Sequence, residues 1–430
     1  MSLVCHNGSG SRLIRCSVII ETNPRESFGD KFMLNRLAIL VLALTTLSGC
    51  ATTSGYGKVP HSELLQGAAC TTTSSNGPAG GRESDTLFLV TTRLPDCRGT
   101  AISLTSFRSP VVLYGQFNQD EQVPVTGAKG PLQPRIAFNS ENGWWSSLEA
   151  RAMASGGRVL VYVHGYRETF ASNARDTRQI KRMTKFNGPV IQYSWPSQGK
   201  LAGYLVDETN VYWDERNFRR FLVKLATQPW TKEIVLVSHS MGARLILPAV
   251  EFVDRSSSNA DSSNISNIIL ASPDIDREDF ERDIAEEILS ARRVNNDRRI
   301  TIYVSRSDKA LAISRTLHGY PRLGSPYCAD PFEAAALKAQ GLPERCYPSK
   351  SSYDIPPQKS GLTIIDTTEV SEKASGHSDF LSSPAACLDF KAVVAGEIDR
   401  KEGRLPTRLS YVFTLAPVDP VAPNVSVRCK

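Results

Sequence analysis

Six short apolar runs recur along the chain and are separated by segments of helical character. The runs are residues 159–163, 190–193, 234–237, 268–270, 300–304 and 362–365. They are apolar rather than alternating, which is typical of strands buried on both faces of a parallel sheet. Between the second and third runs, Phe218, Phe221, Leu222 and Leu225 recur at helical spacing. This alternation predicts an α/β fold in which helices flank a mostly parallel central sheet.

The composition limits what such a chain can bind. Its 430 residues carry a formal net charge of +6, and the Lys and Arg residues are dispersed rather than clustered. Nucleic acid is therefore a poor partner. The sequence contains no GxGxxG or GxxxxGK[ST] loop, no HExxH motif and no C-x-x-C pair. We expect no nucleic acid, no cofactor and no metal.

The third run leads into Ser238-His-Ser240-Met-Gly242 and then into a helix-like segment. A strand, a sharp turn and a helix around G-x-S-x-G form the elbow that carries the nucleophile of many hydrolases, and Ser238 replaces the first Gly. Such a turn requires small residues two before and two after the nucleophile, because both press on neighbouring backbone. We expect Ser240 to be a nucleophile. The alternative is a tight turn in which Ser240 only caps the helix.

The first run leads into His164-Gly165-Tyr166. A strand followed by His-Gly is where α/β hydrolases place the loop that supplies one amide of the oxyanion hole. The other amide belongs to the residue after the nucleophile. We therefore expect the backbone N–H groups of Tyr166 and Met241 to bind an oxyanion and His164 to be structural. An ordinary strand-to-helix turn is the alternative.

Six short motifs follow one another in a fixed order. They are HGY from residue 164, YSWPS from 193, SHSMG from 238, ASPDID from 271, YVSRSDKAL from 303 and GHS from 376. Together they resemble a bacterial α/β-hydrolase family of unknown function in the esterase/lipase superfamily, over roughly residues 85–380. The resemblance implies the α/β-hydrolase fold and a serine-hydrolase triad, and it implies no particular substrate.

Elimination among six histidines selects the base of that triad. Four are set aside: His6 in the leader, His61 in the tether described below, His164 in the oxyanion turn, and His239, whose side chain should point away from the nucleophile it adjoins. His377 and His318 remain. His377 follows the last predicted strand by a loop, as the base of this fold should, whereas His318 lies in a predicted insertion. We favour His377 and keep His318 as the rival base.

The acid of the triad has two candidate positions. Asp308 follows the strand 300–304, opposite the expected base, whereas Asp274 and Asp276 follow the preceding predicted strand. Ser, acid and His occur in that order along the chain in α/β hydrolases. We favour Asp308 and keep Asp274 and Asp276 as rivals, since an Asp after a strand can also serve only as a turn cap.

The N-terminal segment has the form of a targeting signal. Residues 33–50 read MLNRLAILVLALTTLSGC, and their apolar part is too short to span a membrane. Leu-Ser-Gly-Cys resembles the lipobox of bacterial lipoproteins, which implies a signal peptide at 33–49 and a lipid on Cys50; a buried core helix is the alternative. Residues 1–32 show no targeting or folding pattern, so we predict translation from Met33. The protein is then lipid-anchored in the cell envelope, at the outer membrane facing the periplasm.

The mature chain divides into a tether and a domain. Residues 50–84 are rich in Thr, Ser and Gly and predict a flexible tether ahead of a domain at 85–430. Residues 315–360 interrupt the alternation before the last predicted strand and predict an insertion or lid. We expect a disulfide between Cys328 and Cys346 to hold the insertion.

These features predict a serine hydrolase of the carboxylesterase or lipase type. Ser240 would form an acyl-enzyme with a small-molecule or lipid ester, with His377 as base and Asp308 as its partner. Two alternatives stay open. One is an acyltransferase with the same triad, and the other is an inactive lipoprotein on a hydrolase scaffold that acts as a binding or envelope-interaction module.

Overall fold

The computed structural model describes residues 2–7, 14–19, 61–66, 70, 86–99, 101–124, 132–256, 264–290, 298–348, 361–372, 376–397 and 402–418. They fall into two units, Met1–Ser54 and Gly55–Lys430. In the first unit, strands β1 (Ser2–Asn7) and β2 (Ile14–Ile19) form an antiparallel hairpin. This hairpin lies in the segment where the sequence showed no folding pattern. Cys50, Met33 and the predicted signal peptide lie outside the described residues.

The second unit is built on one sheet of eleven described strands. In chain order they are β3 (Thr86–Asp96), β4 (Ser103–Pro124), β5 (Leu132–Phe138), β6 (Arg158–Val163), β7 (Val190–Ser194), β8 (Glu233–His239), β9 (Ile265–Ala271), β10 (Arg299–Val304), β11 (Leu362–Asp366), β12 (Arg404–Pro406) and β13 (Val412–Leu415). Their order across the sheet is β12-β13-β11-β10-β9-β8-β6-β7-β3-β4-β5.

The eight neighbouring strands from β13 to β3 in that order run parallel. They include all six predicted runs, so the predicted fold class is confirmed. The strand order reverses at β6, whose neighbours are β7 and β8. In an open parallel sheet, the carboxyl ends of strands at such a reversal line the usual ligand crevice. The sequences that follow β6 and β8 are the predicted oxyanion turn and the predicted elbow.

Helices flank this sheet. They are α1 (His61–Leu64), α2 (Glu141–Met153), α3 (Phe170–Thr184), α4 (Tyr204–Ala226), α5 (Ala243–Ser256), α6 (Arg277–Asp279), α7 (Ala285–Ser290), α8 (Lys309–His318), α9 (Pro331–Ala339), α10 (Asp379–Ser382) and α11 (Pro384–Val394). Short 3₁₀ turns occur at Leu201–Gly203, Ser240–Gly242 and Thr368–Val370, and a π-helical turn at Phe280–Ile284. Within the described part of the chain, no helix has the length and apolar character needed to cross a bilayer.

Both faces of the parallel sheet are buried. In β6, Val159, Val161 and Val163 pack in one apolar cluster with side chains of α4 and α5, whereas Leu160 and Tyr162 pack in a second cluster with side chains of α3 and α11. Each such fully buried aliphatic side chain contributes about 1.5–3 kcal/mol to folding. Burial on two faces explains why the strand sequences are continuously apolar.

The predicted tether contacts the domain at its described residues. Leu64 of α1 is buried, and its carbonyl oxygen accepts a hydrogen bond of 2.7 Å from the backbone N–H of Cys97. Cys70 is joined to Cys97 by a disulfide. The expected tether was flexible throughout, whereas these contacts hold Leu64 and Cys70 against Cys97, the residue after β3.

The insertion between β10 and β11 contains α8 and α9. The predicted disulfide between Cys328 and Cys346 is present, with a Cα–Cα distance of 4.8 Å. The guanidinium of Arg277 donates to the carbonyl oxygens of Tyr327 and Cys346 at 2.6 and 3.0 Å. The insertion is therefore joined to the segment after β9 by a buried cation as well as closed on itself by a covalent bond.

Candidate active site

The strand β8 ends at His239, and the next residue, Ser240, makes the sharp turn that the sequence predicts. Ser240 has a φ of 51° and its side chain and backbone are 2% exposed. A left-handed backbone at a residue other than Gly costs about 1–2 kcal/mol. Such strain is characteristic of the elbow that lifts a nucleophile out of a sheet.

Two glycines allow this turn to pack closely. A Cβ at Gly242 would lie 2.7 Å from the carbonyl oxygens of both Val163 and His164, and a Cβ at Gly165 would lie 2.7 Å from Cβ of Ser240. The turn after β6 and the turn after β8 therefore touch backbone to backbone. Ser238 stands where the elbow motif has its first Gly. It is fully buried, and its hydroxyl has no hydrogen-bond partner in the part of the chain that the structure describes.

His377 and Asp308 meet at this edge of the sheet. Nδ1 of His377 lies 2.7 Å from Oδ2 of Asp308. The other carboxylate oxygen accepts a hydrogen bond of 2.9 Å from the N–H of Leu311 and so caps α8. The interaction with Asp308 therefore coexists with the turn-capping role considered as its alternative. A carboxylate can only accept, so the Nδ1 atom of His377 carries the proton and Nε2 is the free nitrogen of the neutral ring.

The surroundings of His377 determine its protonation. Burial disfavours the charged imidazolium, but the charge of Asp308 and its hydrogen bond outweigh burial and raise the pKa of His377 above the ordinary value. Its Nε2 atom is buried and has no hydrogen-bond partner among the described residues. Within the described ranges it makes no hydrogen bond to Ser240, and catalytic hydrogen bonds of this kind often tighten only when substrate binds.

The rival acid Asp274 is occupied by other partners. Its side chain accepts from Ser314 at 2.6 Å and from the guanidinium of Arg322 at 2.9 Å, and it lies 3.4 Å from the guanidinium of Arg244. Burial raises its pKa, but the two arginines outweigh burial and lower it. Asp274 is hydrogen-bonded to the elbow through its backbone N–H, which donates to the Ser240 carbonyl at 3.1 Å. This carboxylate neutralises buried arginines.

Asp276, the second rival acid, caps α6 by accepting from the backbone N–H of Glu278 at 2.9 Å. His318, the rival base, places Nε2 2.9 Å from Oε1 of Glu208 and Nδ1 2.8 Å from the carbonyl oxygen of Ser314. His318 also lines a cavity of about 370 Å³ that Arg244 shares. Neither Asp276 nor His318 has a hydrogen bond to Ser240 or His377 within the described ranges.

The two predicted oxyanion donors flank Ser240. Tyr166 lies in the turn after β6, and no acceptor of the described residues bonds its backbone N–H. Met241 is the second residue of the 3₁₀ turn, where a backbone N–H has no partner within the helix. Both amides are thus available to an oxyanion. Their role in binding one stays a prediction.

The turn that carries Tyr166 is fixed by residues that the sequence analysis missed. Arg93, at the end of β3, is fully buried and donates to the carbonyl oxygens of Glu168 at 2.7 Å and Ser197 at 3.0 Å. Asp207 accepts from the backbone N–H of Arg167 at 3.1 Å. A lone Arg inside an apolar strand sequence was the available signal for Arg93, since such a cation needs buried acceptors.

The structure offers little to a metal. Among the described residues, Cys328, Glu333 and Cys346 have ligand atoms within 4.8 Å of one another. The two sulfurs form the disulfide of the insertion, so they supply no thiolate, and one carboxylate does not make a metal site.

A family model among the comparisons with known proteins indicates a hydrolase fold. The model of a family described as "Alpha/beta hydrolase of unknown function (DUF900)" matches residues 146–395, more than half of the chain. Among curated proteins, none matches. A solved structure of an ester-hydrolase from the metagenome of Lake Arreo, in complex with a derivative of bipyridine phosphonate, aligns over 83% of this chain and 95% of its own, with 11% identity and a TM-score of 0.29. A TM-score that low carries no argument about this chain.

Proposed function

This chain belongs to the α/β-hydrolase family of unknown function, and from that membership we propose that it is a serine hydrolase of the carboxylesterase or lipase type. The observation that carries the proposal is the 2.7 Å hydrogen bond between His377 and Asp308 at the sheet edge where Ser240 forms a strained turn. The bond fixes the ring tautomer that leaves Nε2 free to accept a proton. Among the described residues, neither rival acid has a hydrogen bond to a histidine.

The proposed reaction has two halves. Nε2 of neutral His377 takes the proton from Oγ of Ser240 as that oxygen bonds to the ester carbonyl carbon, and the carbonyl π electrons move onto oxygen. The oxyanion then re-forms the carbonyl, the bond to the alcohol oxygen breaks, and His377 delivers its proton to the leaving alcohol. Water repeats the sequence on the acyl-enzyme, which releases the acid and restores Ser240.

The other groups act through position and charge. Asp308 stabilises the imidazolium that His377 becomes during each half-reaction. The amides of Tyr166 and Met241 would donate to the oxyanion, and removing one such donor typically costs about 2.7–4 kcal/mol of transition-state stabilisation. Arg93 and Asp207 hold the turn that carries Tyr166 in place. They would act by positioning that amide and would not touch the substrate.

A serine-reactive fluorophosphonate tests the proposal. We expect the probe to attach to the peptide that contains Ser240, as located by mass spectrometry of the digested protein. The labelling rate should rise with pH, because only the neutral form of His377 accepts the serine proton. Since Asp308 raises the His377 pKa, the midpoint of that rise should lie above about 6.5, the ordinary value of a histidine.

Heat-denatured protein is the control for chemical labelling that does not need the folded site. An adduct on another residue would contradict the assignment of Ser240 as the nucleophile. No adduct on the native protein would contradict the proposal and favour the inactive binding module. An acyltransferase would give the same adduct, so the products of an ester assay in the presence of an alcohol acceptor separate hydrolysis from transfer.

We also propose that a lipid on Cys50 anchors the enzyme in the bacterial envelope, where a lipid or small-molecule ester would be its substrate. The support is the Leu-Ser-Gly-Cys sequence. Cys50→Ser should move the protein from the membrane fraction to the soluble fraction without changing its labelling by the probe. Intact mass of the purified mature protein checks this, and a mature N-terminus other than a lipid-modified Cys50 would refute the anchor.

A further inference from the structure

His239 connects the strand that leads to the nucleophile with the segment that carries the base. It is the last residue of β8, adjacent to Ser240 in sequence, and it is buried. Its Nε2 atom lies 2.8 Å from the carbonyl oxygen of His377, and the two imidazole rings are 4.7 Å apart between centroids. The ring of Phe380 packs against that of His239, with 5.4 Å between the ring centroids. The strand that carries the nucleophile is therefore hydrogen-bonded directly to the residue that carries the base.

The direction of this hydrogen bond follows from its acceptor. A carbonyl oxygen can only accept, so Nε2 of His239 donates and carries the ring proton. Nδ1 is buried and has no hydrogen-bond partner in the described part of the chain, so a second proton there would be a buried charge without compensation. Burial, followed by the neighbouring His377, lowers the pKa of His239 to about 3. The ring stays neutral and the bond persists wherever an esterase would work.

The segment that carries His377 has two anchors. Gly376, with a φ of 62°, lies so close to the next loop that a Cβ there would be 2.9 Å from the carbonyl carbon of Ser307 and 3.0 Å from the nitrogen of Asp308. The donor of His239 holds the following residue from the other side. The titratable groups around the His377 ring are Asp308, Asp274, Glu168, His239 and Asp379. Of these, within the described part of the chain, Asp308 and His239 are the two that hydrogen-bond to His377.

We infer that His239 is a positioning residue: its Nε2 donor fixes the His377 backbone so that the base faces Ser240 on one side and Asp308 on the other. The effect on catalysis rests on the proposed function. The hydrogen bond from His239 to the His377 backbone does not depend on it. A carbonyl left without its donor would let the segment move, which lengthens the Asp308 bond and misaligns Nε2. Misplacement by about 1 Å can cost on the order of a hundredfold in rate.

The test compares variants that keep or remove the donor. His239→Phe and His239→Leu fill the site without a donor, whereas the side-chain amide of His239→Gln can place its nitrogen near the position of Nε2.

Two measurements are made on each protein: the fluorophosphonate labelling rate, and the pKa of His377 from NMR titration of its ring protons, assigned with His377→Asn. We expect the donor-free variants to lose about tenfold to a hundredfold in labelling rate. The pKa of His377 should fall toward about 6.5 in them. Gln should restore most of both.

Three outcomes are decisive. A donor-free variant with the parent labelling rate and the parent His377 pKa would overturn the inference. Equal losses in the Gln variant and the donor-free variants, with an unchanged pKa, would also overturn it, because the ring would then serve only packing. If the parent protein is not labelled but the pKa still depends on the donor, the proposed function fails and the positioning of His377 stands.

Discussion

Replacing Ser240 by Ala should lower the turnover of a p-nitrophenyl ester by about 10⁵- to 10⁶-fold, the loss typical of a serine hydrolase without its nucleophile. The hydroxyl oxygen of Ser240 forms the covalent bond to the acyl group, so no neighbouring group can replace it in acylation. Ala has the same Cβ as Ser and occupies the same strained backbone at a φ of 51°. We therefore expect the fold, and the melting temperature that reports it, to change little. Steady-state kinetics and thermal unfolding on the same preparation check both statements.

Ser238→Ala is the matched control, two residues earlier and inside β8. Its hydroxyl is buried without a partner in the described residues, so removing it takes away an unsatisfied polar group and no interaction. Turnover should stay near that of the parent, and stability should stay equal or rise. A Ser240→Ala protein that retains parental turnover would mean that another residue is the nucleophile and would remove the proposed mechanism.

The parallel sheet could be predicted because its signal is local. Each of the six predicted strands is an apolar run buried on both faces, and the same burial that defines the strand also defines its sequence. The elbow was equally accessible, since a strained turn between strand and helix restricts residue size at fixed positions, as Gly242 shows by its contact with the turn after β6. Such constraints involve a few residues that are close in sequence.

Contacts between distant segments could not be predicted in this way. The long hairpin of β4 and β5 contains polar residues and a register shift between its strands, and its pairing depends on partners rather than on its own pattern. Arg93 and His239 gain their roles from carbonyl oxygens that lie about 75 and 138 residues away along the chain. Strand position favoured Asp308 over Asp274, but the two arginines that occupy Asp274 come from distant parts of the chain. Sequence spacing carries none of this information.

Asp308→Asn should have the second large effect, a loss of about 10⁴-fold in kcat. The amide nitrogen of Asn would donate to Nδ1 of His377, which forces the ring proton onto Nε2, where it blocks removal of the Ser240 proton. The side-chain oxygen of Asn can still accept from Leu311, because Asn caps helices about as well as Asp. We therefore expect an inactive protein of nearly parental melting temperature. Loss of the carboxylate should also lower the His377 pKa, which NMR titration measures.

Asp274→Asn is the control that separates the two acids. We expect it to lower stability and largely keep activity, the reverse of Asp308→Asn. Removing this charge leaves Arg244 and Arg322 buried beside a neutral amide, and breaking a buried ion pair costs about 3–5 kcal/mol of stability. The backbone N–H that meets Ser240 is unchanged by the substitution. Turnover per folded molecule should therefore fall far less than in Asp308→Asn, while the melting temperature falls clearly. If Asp274→Asn were instead stable and inactive and Asp308→Asn active, Asp274 would be the acid, and the base would have to reach it by a rearrangement that breaks the bond between His377 and Asp308.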